Sequence, residues 1–143
     1  MALPTSAVKA VIRKDGKVLL LQRNPITRGV DNWDLPWGLM EVGEDAESTL
    51  AREIREELGV EVEVLSRGGS WRFFRPKDGR WVWVRNYECR PLDDDIGLSD
   101  EHVAYEWVSP ERLREFPVKD RSLYTSLLRY IWSSFRNFRD ACL

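Results

Sequence analysis

The chain has 143 residues, with 22 Lys and Arg against 24 Asp and Glu and a net charge of −2. That length suits one domain whose core needs neither disulfides nor a structural metal, and 43% hydrophobic with 32% charged residues excludes wholesale disorder. No apolar run approaches the roughly 18–20 residues that cross a bilayer, and the near-neutral balance disfavours nucleic acid as a bulk electrostatic partner.

Nothing in the composition shifts abruptly and no repeat is visible, so residues 1–143 read as a single domain. Residues 7–12 and 17–22 are β-like runs, joined by a turn whose Asp15-Gly16 pair signals a hairpin. Residues 25–32 read as a loop and 33–36 as a short extended piece. From 45 to 58 the pattern becomes helical, with Ala46, Leu50, Ala51, Ile54 and Leu58 on one side and Gly59 at the C-cap. Strands are expected over 60–66, 70–75 and 81–89, the last two joined by the turn Pro76-Lys77-Asp78-Gly79. An acidic loop over 91–100 precedes a strand at 104–108. Ser109-Pro110 opens a short helix, and Asp120 caps a last helix reaching about residue 138. Strands interleaved with helices, with hairpins as well as crossovers, indicate an α/β domain with a mixed sheet.

The chemistry concentrates in residues 38–60. Glu53, Glu56 and Glu57 stand at i, i+3 and i+4, where like charges oppose one another by roughly 0.2–0.5 kcal/mol per pair. They also crowd the last helical turn, where the macrodipole disfavours anions. Alone, such a run reads more often as a solvated face, with Arg52 and Arg55 softening the repulsion. A divalent cation would remove both objections, and three carboxylates suit a hard ion such as Mg²⁺ or Mn²⁺. The apolar arc of the same helix would anchor such a site to the core.

The wider spacing decides between these readings. Gly38, Glu44, Arg52, Glu53, Ile54, Glu56, Glu57, Gly59 and Val60 match, position for position, the signature of the Nudix hydrolases, which this segment resembles. Trp33-Asp34-Leu35-Pro36-Trp37-Gly38 is similar to the family's lead-in, with Trp37 where a glycine is usual. The run from Leu98 to Trp107 is similar to a segment that supplies a further carboxylate in many members.

The resemblance implies an α/β/α sandwich with a central mixed sheet, and hydrolysis of a diphosphate bond in a nucleoside diphosphate derivative. Mg²⁺ or Mn²⁺ would neutralise the anionic oxygens and lower the pKa of attacking water. It further implies that Glu53, Glu56 and Glu57 are metal ligands, with the Gly38 carbonyl as another. Glu44 and Arg52 would support them, the arginine orienting the carboxylates. Glu101 is the first choice as general base, with Glu56 or Glu57 able to serve instead. His102, the only histidine, reads as a surface or packing residue.

Arg23 and Arg72 are candidates to meet phosphates, as is Arg75. Trp33 and Trp37, flanking the signature, are candidate substrate contacts. Trp71, Trp81, Trp83 and Tyr105 also invite base stacking, although core packing is the commoner fate of an aromatic. Pro76 stands where the family's ADP-ribose hydrolases carry a proline, whereas residues 98–107 look like those of diadenosine tetraphosphate hydrolases. Nucleoside triphosphates, including oxidised ones, are an alternative substrate class, and a non-catalytic nucleotide sensor is a second alternative.

The last helix carries Leu123, Tyr124, Leu127, Leu128, Tyr130, Ile131, Trp132, Phe135 and Phe138, an apolar arc wider than one buried face. A homodimer contact is therefore expected there. Residues 1–7 lack the long apolar stretch of a secretory signal. Cys89 and Cys142 have no ligand-like spacing, so a cytoplasmic location is expected.

Overall fold

Asp15 and Gly16 both adopt positive φ, 51° and 74°, the geometry of a tight turn whose twist matches its flanking strands. They join β1 (Thr5–Lys14) to β2 (Lys17–Arg23) in the expected hairpin. A computed structural model describes residues 5–24 and 33–116 of the chain. The further described elements are β3 (Trp33–Asp34), β4 (Trp37–Leu39), α1 (Ala46–Leu58), β5 (Val62–Arg75), β6 (Arg80–Pro91), β7 (His102–Val108) and a 3-10 turn at Pro110–Glu115.

The sheet is mixed. β1 runs parallel to β6 from Thr5 opposite Val82 to Ile12 opposite Cys89, while its pairings with β2 and β4 are antiparallel. The strand order is β3-β2-β1-β6-β5, with β4 added on β1 and β7 on β2. β1 therefore leaves β2 just beyond the turn, and β4 pairs with it at Ala7, Val8 and Lys9.

Both faces of β1 and β2 are covered, which explains their almost unbroken apolar runs. Val8, Ala10, Ile12, Leu19 and Leu21 face Leu50, Ile54 and Leu58 of α1. Val11, Val18 and Leu20 face Leu35, Val108, Leu113 and Phe116, where the 3-10 turn closes the opposite side. Cys89 is buried and unbridged, and burial pushes its thiol up to about 12.

Two local expectations change. Residues 62–75 form one long strand where two were expected over 60–66 and 70–75, because shifts of register at 64–66 and 67–70 absorb Leu65, Gly68 and Gly69 as bulges. Residues 37–39 form an additional strand. Among the described residues Asp15 is the only non-glycine with positive φ. Trp37 thus sits in ordinary extended backbone opposite Lys9, and the tryptophan at a usual glycine position brings no backbone strain. The expected last helix and its subunit contact, together with the loop at 25–32, lie outside the described residues. The described part is an α/β fold with a central mixed sheet, as expected.

Candidate active site

α1 is set by its ends. The Asp45 side chain accepts a 2.8 Å hydrogen bond from the Ser48 N–H, and Gly59 takes the left-handed C-cap conformation at φ 66°. With Leu50, Ile54 and Leu58 directed into the core, the three glutamates receive three different environments. Glu57, three residues after Ile54, is carried inward and is only 5% exposed. Glu53 lies half-buried at the edge of this face, and Glu56 points to solvent.

Arg52 organises the exposed side of this group. Its Nε and Nη2 donate to the two oxygens of Glu44 at 2.8 and 2.9 Å, a two-pronged pairing suited to a planar guanidinium. Its Nη1 donates to Glu53 Oε1 at 2.8 Å and reaches Glu56 Oε2 at 3.5 Å. Glu44 also accepts from the Glu41 N–H and the Thr49 hydroxyl. The Arg52 guanidinium and these donors hold its carboxyl down at about 2, and Glu44 in turn raises the Arg52 value. Glu44 thus fixes Arg52, and Arg52 fixes Glu53.

Gly38 supplies the opposing wall. A β-carbon there would overlap Glu53 Cγ and Cδ and come within 2.6 Å of its Oε1. Gly38 has no positive φ, so the position demands glycine for space, not for backbone freedom.

These residues border a cavity of about 440 Å³ lined by Arg23, Trp37, Gly38, Leu39, Met40, Glu41, Glu53, Glu57, Glu101 and His102. Glu57 Oε2 is buried there without a hydrogen-bond partner. Burial, then the nearby charges of Glu53, Glu101 and Asp34, push the Glu57 carboxyl up to about 9, against the pull of Arg23. Burial also raises Glu53, opposed by Arg52 and reinforced by Glu56 and Glu101.

Glu101 is brought to this point by backbone bonds. Gly97 N–H donates to the Leu58 carbonyl at 2.9 Å and Ser99 N–H to that of Glu57 at 3.1 Å, pairing carbonyls that a helix end leaves open. Asn24 N–H donates to the Glu101 carbonyl at 2.9 Å. The loop bearing Glu101 is thereby fastened both to the end of α1 and to the end of β2.

The arrangement fits a divalent cation. A buried carboxylate oxygen without a donor faces two further carboxylates, and these are the hard oxygen donors such an ion takes. Among the described residues no three acidic, histidine or cysteine side chains are already gathered at ion-binding separations. Mutual repulsion, and the hold of Arg52 on Glu53 and Glu56, account for that spread.

A cationic wall stands beside the acidic one. Asp34 Oδ1 accepts from the buried Lys9 ammonium at 2.8 Å, and its Oδ2 lies 3.7 Å from Arg23 Nη2. Lys9 Nζ lies 5.6 Å from the ring centres of both Trp37 and Trp71, and the Arg23 guanidinium 5.6 Å from that of Trp37.

The structure therefore collects Arg23, Trp37, Gly38, Glu53, Glu57 and Glu101 on one cavity, with Arg52 and Glu44 immediately behind. Glu56 lies outside its lining, beside Arg52. Trp33 packs edge-on against Phe116, centroids 5.0 Å apart, on the other core face. Arg72 lies over Trp81 and Trp83, away from the cavity, and Pro76 sits in the β5–β6 turn. His102, read from the sequence as packing or surface, lines the cavity. Lys9 and Asp34 were not singled out by sequence reasoning; a lone lysine amid the apolar residues of β1 was the signal available.

The sequence profile of the NUDIX domain family matches residues 3–127. The chain is 35% identical over 131 residues to nucleoside triphosphatase NudI of Salmonella newport, spanning 83% of this chain and 92% of that protein. It is 32% identical over 111 residues to the CTP pyrophosphohydrolase of Escherichia coli, spanning 78% and 80%. Its fold is similar to that of a MutT protein from Methanosarcina mazei Go1, with a TM-score of 0.78 and 27% identity over 94% of this chain and 98% of that one.

Proposed function

Because the chain belongs to the NUDIX domain family, whose members act on pyrophosphate bonds of nucleotide derivatives, we propose that it hydrolyses a nucleoside triphosphate to the monophosphate and pyrophosphate with Mg²⁺ or Mn²⁺. The observation that carries the catalytic reading is Glu57: a buried carboxylate with an unpartnered oxygen, facing Glu53 and Glu101 across a cavity. The nucleoside triphosphate reading is supported by the names of the two relatives above, which act on that class of substrate. The ADP-ribose cue weakens, because Pro76 belongs to a turn away from the cavity.

Glu53 and Glu57 would hold the cation, with the Gly38 carbonyl and Glu56 as further oxygen donors. When bound, the cation supplies charge neutralisation at the phosphate oxygens and a lowered pKa for water. The protein's own groups do the rest. Arg52, fixed by Glu44, keeps Glu53 from swinging away. Glu101 accepts the proton of the water that attacks phosphorus, a role its place on the cavity rim allows. Arg23, tied to Asp34, attracts the phosphate chain, and the Trp37 ring beside it offers a stacking face for the base.

The test is a set of nucleoside triphosphates incubated with Mg²⁺, the products being resolved chromatographically. Monophosphate and pyrophosphate are expected, with turnover abolished by a chelator. Inert triphosphates together with rapid cleavage of ADP-ribose or a dinucleoside polyphosphate would overturn the substrate assignment.

A further inference from the structure

The whole-chain charge of −2 averages over one segment that departs from it. Residues 66–85 hold six basic side chains, Arg67, Arg72, Arg75, Lys77, Arg80 and Arg85, against the single carboxylate of Asp78, which pairs with Arg75. The same stretch holds five aromatics. It forms the β5–β6 hairpin, whose two faces differ. On the inner face Trp71 and Phe73 pack with Val82, Val84, Ala7, Trp37 and Leu39. On the outer face Phe74, Trp81 and Trp83 are each about half exposed, at 48%, 49% and 47%.

The outer aromatics are already arranged with cations. Arg72 stands opposite Trp83, and Phe74 opposite Trp81. The Arg72 guanidinium lies 4.6 Å from the Trp81 ring centre and 5.6 Å from that of Trp83, and Phe74 meets Trp81 at 5.5 Å. Among the described residues β5 is also the edge of its sheet. Exposed aromatics on an edge hairpin are a liability for aggregation unless something uses them.

We propose that this outer face is a platform for single-stranded nucleic acid: unpaired bases stack on Trp81, Trp83 and Phe74, and phosphates meet Arg72 and Arg85, which share that face. Flat rings interleaved with guanidinium groups on a β-surface are what unpaired bases and their backbone require, independent of sequence. A symmetric contact with a second copy is disfavoured, since it would set the same cations against themselves. A membrane is disfavoured by the tip of the hairpin, which is Pro76-Lys77-Asp78-Gly79 and offers nothing apolar to insert. The face is separate from the cavity, none of whose lining residues belongs to it.

The test is fluorescence anisotropy of short labelled single-stranded DNA and RNA with the full chain. Binding is expected to weaken roughly ten-fold for Trp81→Ala or Trp83→Ala, given the stacking strength of one base on one ring. It should also fall about seven-fold between roughly 50 and 200 mM salt, as neutralising two phosphates of a single strand requires. Both variants should hydrolyse nucleotides as the parent does, which also shows that they fold. Saturating nucleotide should leave the oligonucleotide bound. No binding at low salt would overturn the proposal, and so would binding unchanged in both variants or lost to competing nucleotide. Association into dimers, or capture by anionic vesicles, that disappears in Trp83→Ala while oligonucleotides are ignored would assign the face elsewhere.

Discussion

Glu53 lies directly over the α-carbon of Gly38, so close that a methyl group at that position would occupy the space of the glutamate's own side chain. Two positions of the Nudix signature, fifteen residues apart, are therefore one steric unit. Because Arg52 anchors the Glu53 carboxylate at 2.8 Å, the side chain cannot simply rotate out of the way.

Gly38→Ala is expected to lower kcat/KM at least a hundred-fold while costing only about 1–3 kcal/mol of stability, the usual range for forcing one extra carbon into a packed place. Kinetics alongside urea unfolding check both halves. Unaltered turnover would show that Glu53 need not keep its observed position.

Glu57 links the site to pH. Its folded-state carboxyl value, about 9 against the ordinary 4.5, is raised, so its neutral form contributes stability below the ordinary value that is lost as pH rises through 9. Without divalent ions the melting temperature should fall between pH 5 and pH 9, and Glu57→Gln should flatten that slope. The same variant should lose activity by two orders of magnitude or more, because the buried amide cannot take the place of a charged oxygen. Melting curves across pH, with and without Mg²⁺, settle this; a slope unchanged in the variant would refute it.

Arg52 and Glu44 should behave as one device. Either Arg52→Ala or Glu44→Gln is expected to reduce kcat some 10–100-fold, as loss of a group that orients a metal ligand does. The double variant should be little worse than the poorer single one. Arg52→Lys should not rescue, since an ammonium cannot reproduce the two-pronged contact. Independent, multiplying losses would argue that the two residues act separately. On the acid side the Glu44 value of about 2 lies below the ordinary 4.5, so its contribution to stability is present above 4.5 and disappears as pH falls towards 2.

Asp34→Ala should destabilise the protein by about 3–5 kcal/mol, because it strands the buried Lys9 ammonium. The paired change Lys9→Met with Asp34→Leu should recover much of this stability. It should still raise KM, because Arg23 loses its partner. Chemical unfolding and initial rates test the two statements separately.

How far the sequence reached depends on the range of the interaction. The β1–β2 hairpin and α1 were legible because Asp15-Gly16, Asp45 and Gly59 act on neighbours within a few residues. The bulged β5 was misread as two strands because Gly68-Gly69 looks like a turn unless the pairing with β6 is known. Glu53, Glu56 and Glu57 are chemically identical in the sequence, and the packing of Leu50 and Ile54 decides that Glu57 alone turns inward. Lys9 and Asp34, twenty-five residues apart, form a pair that local reasoning does not reach.

The docking of the 97–102 loop onto the end of α1 has an architectural consequence. Leu92 is tied by its N–H to the Glu61 carbonyl, and Gly97 to that of Leu58, whereas Asp93, Asp94 and Asp95 between them are exposed. Between these two anchors the aspartates are held by short-range bonds among themselves and Ile96 and by the exposed pairing of Asp94 with Lys14. Residues could be added or removed there without disturbing how Glu101 is aligned with Glu57, making this the place to graft a tag or sensor onto the catalytic scaffold.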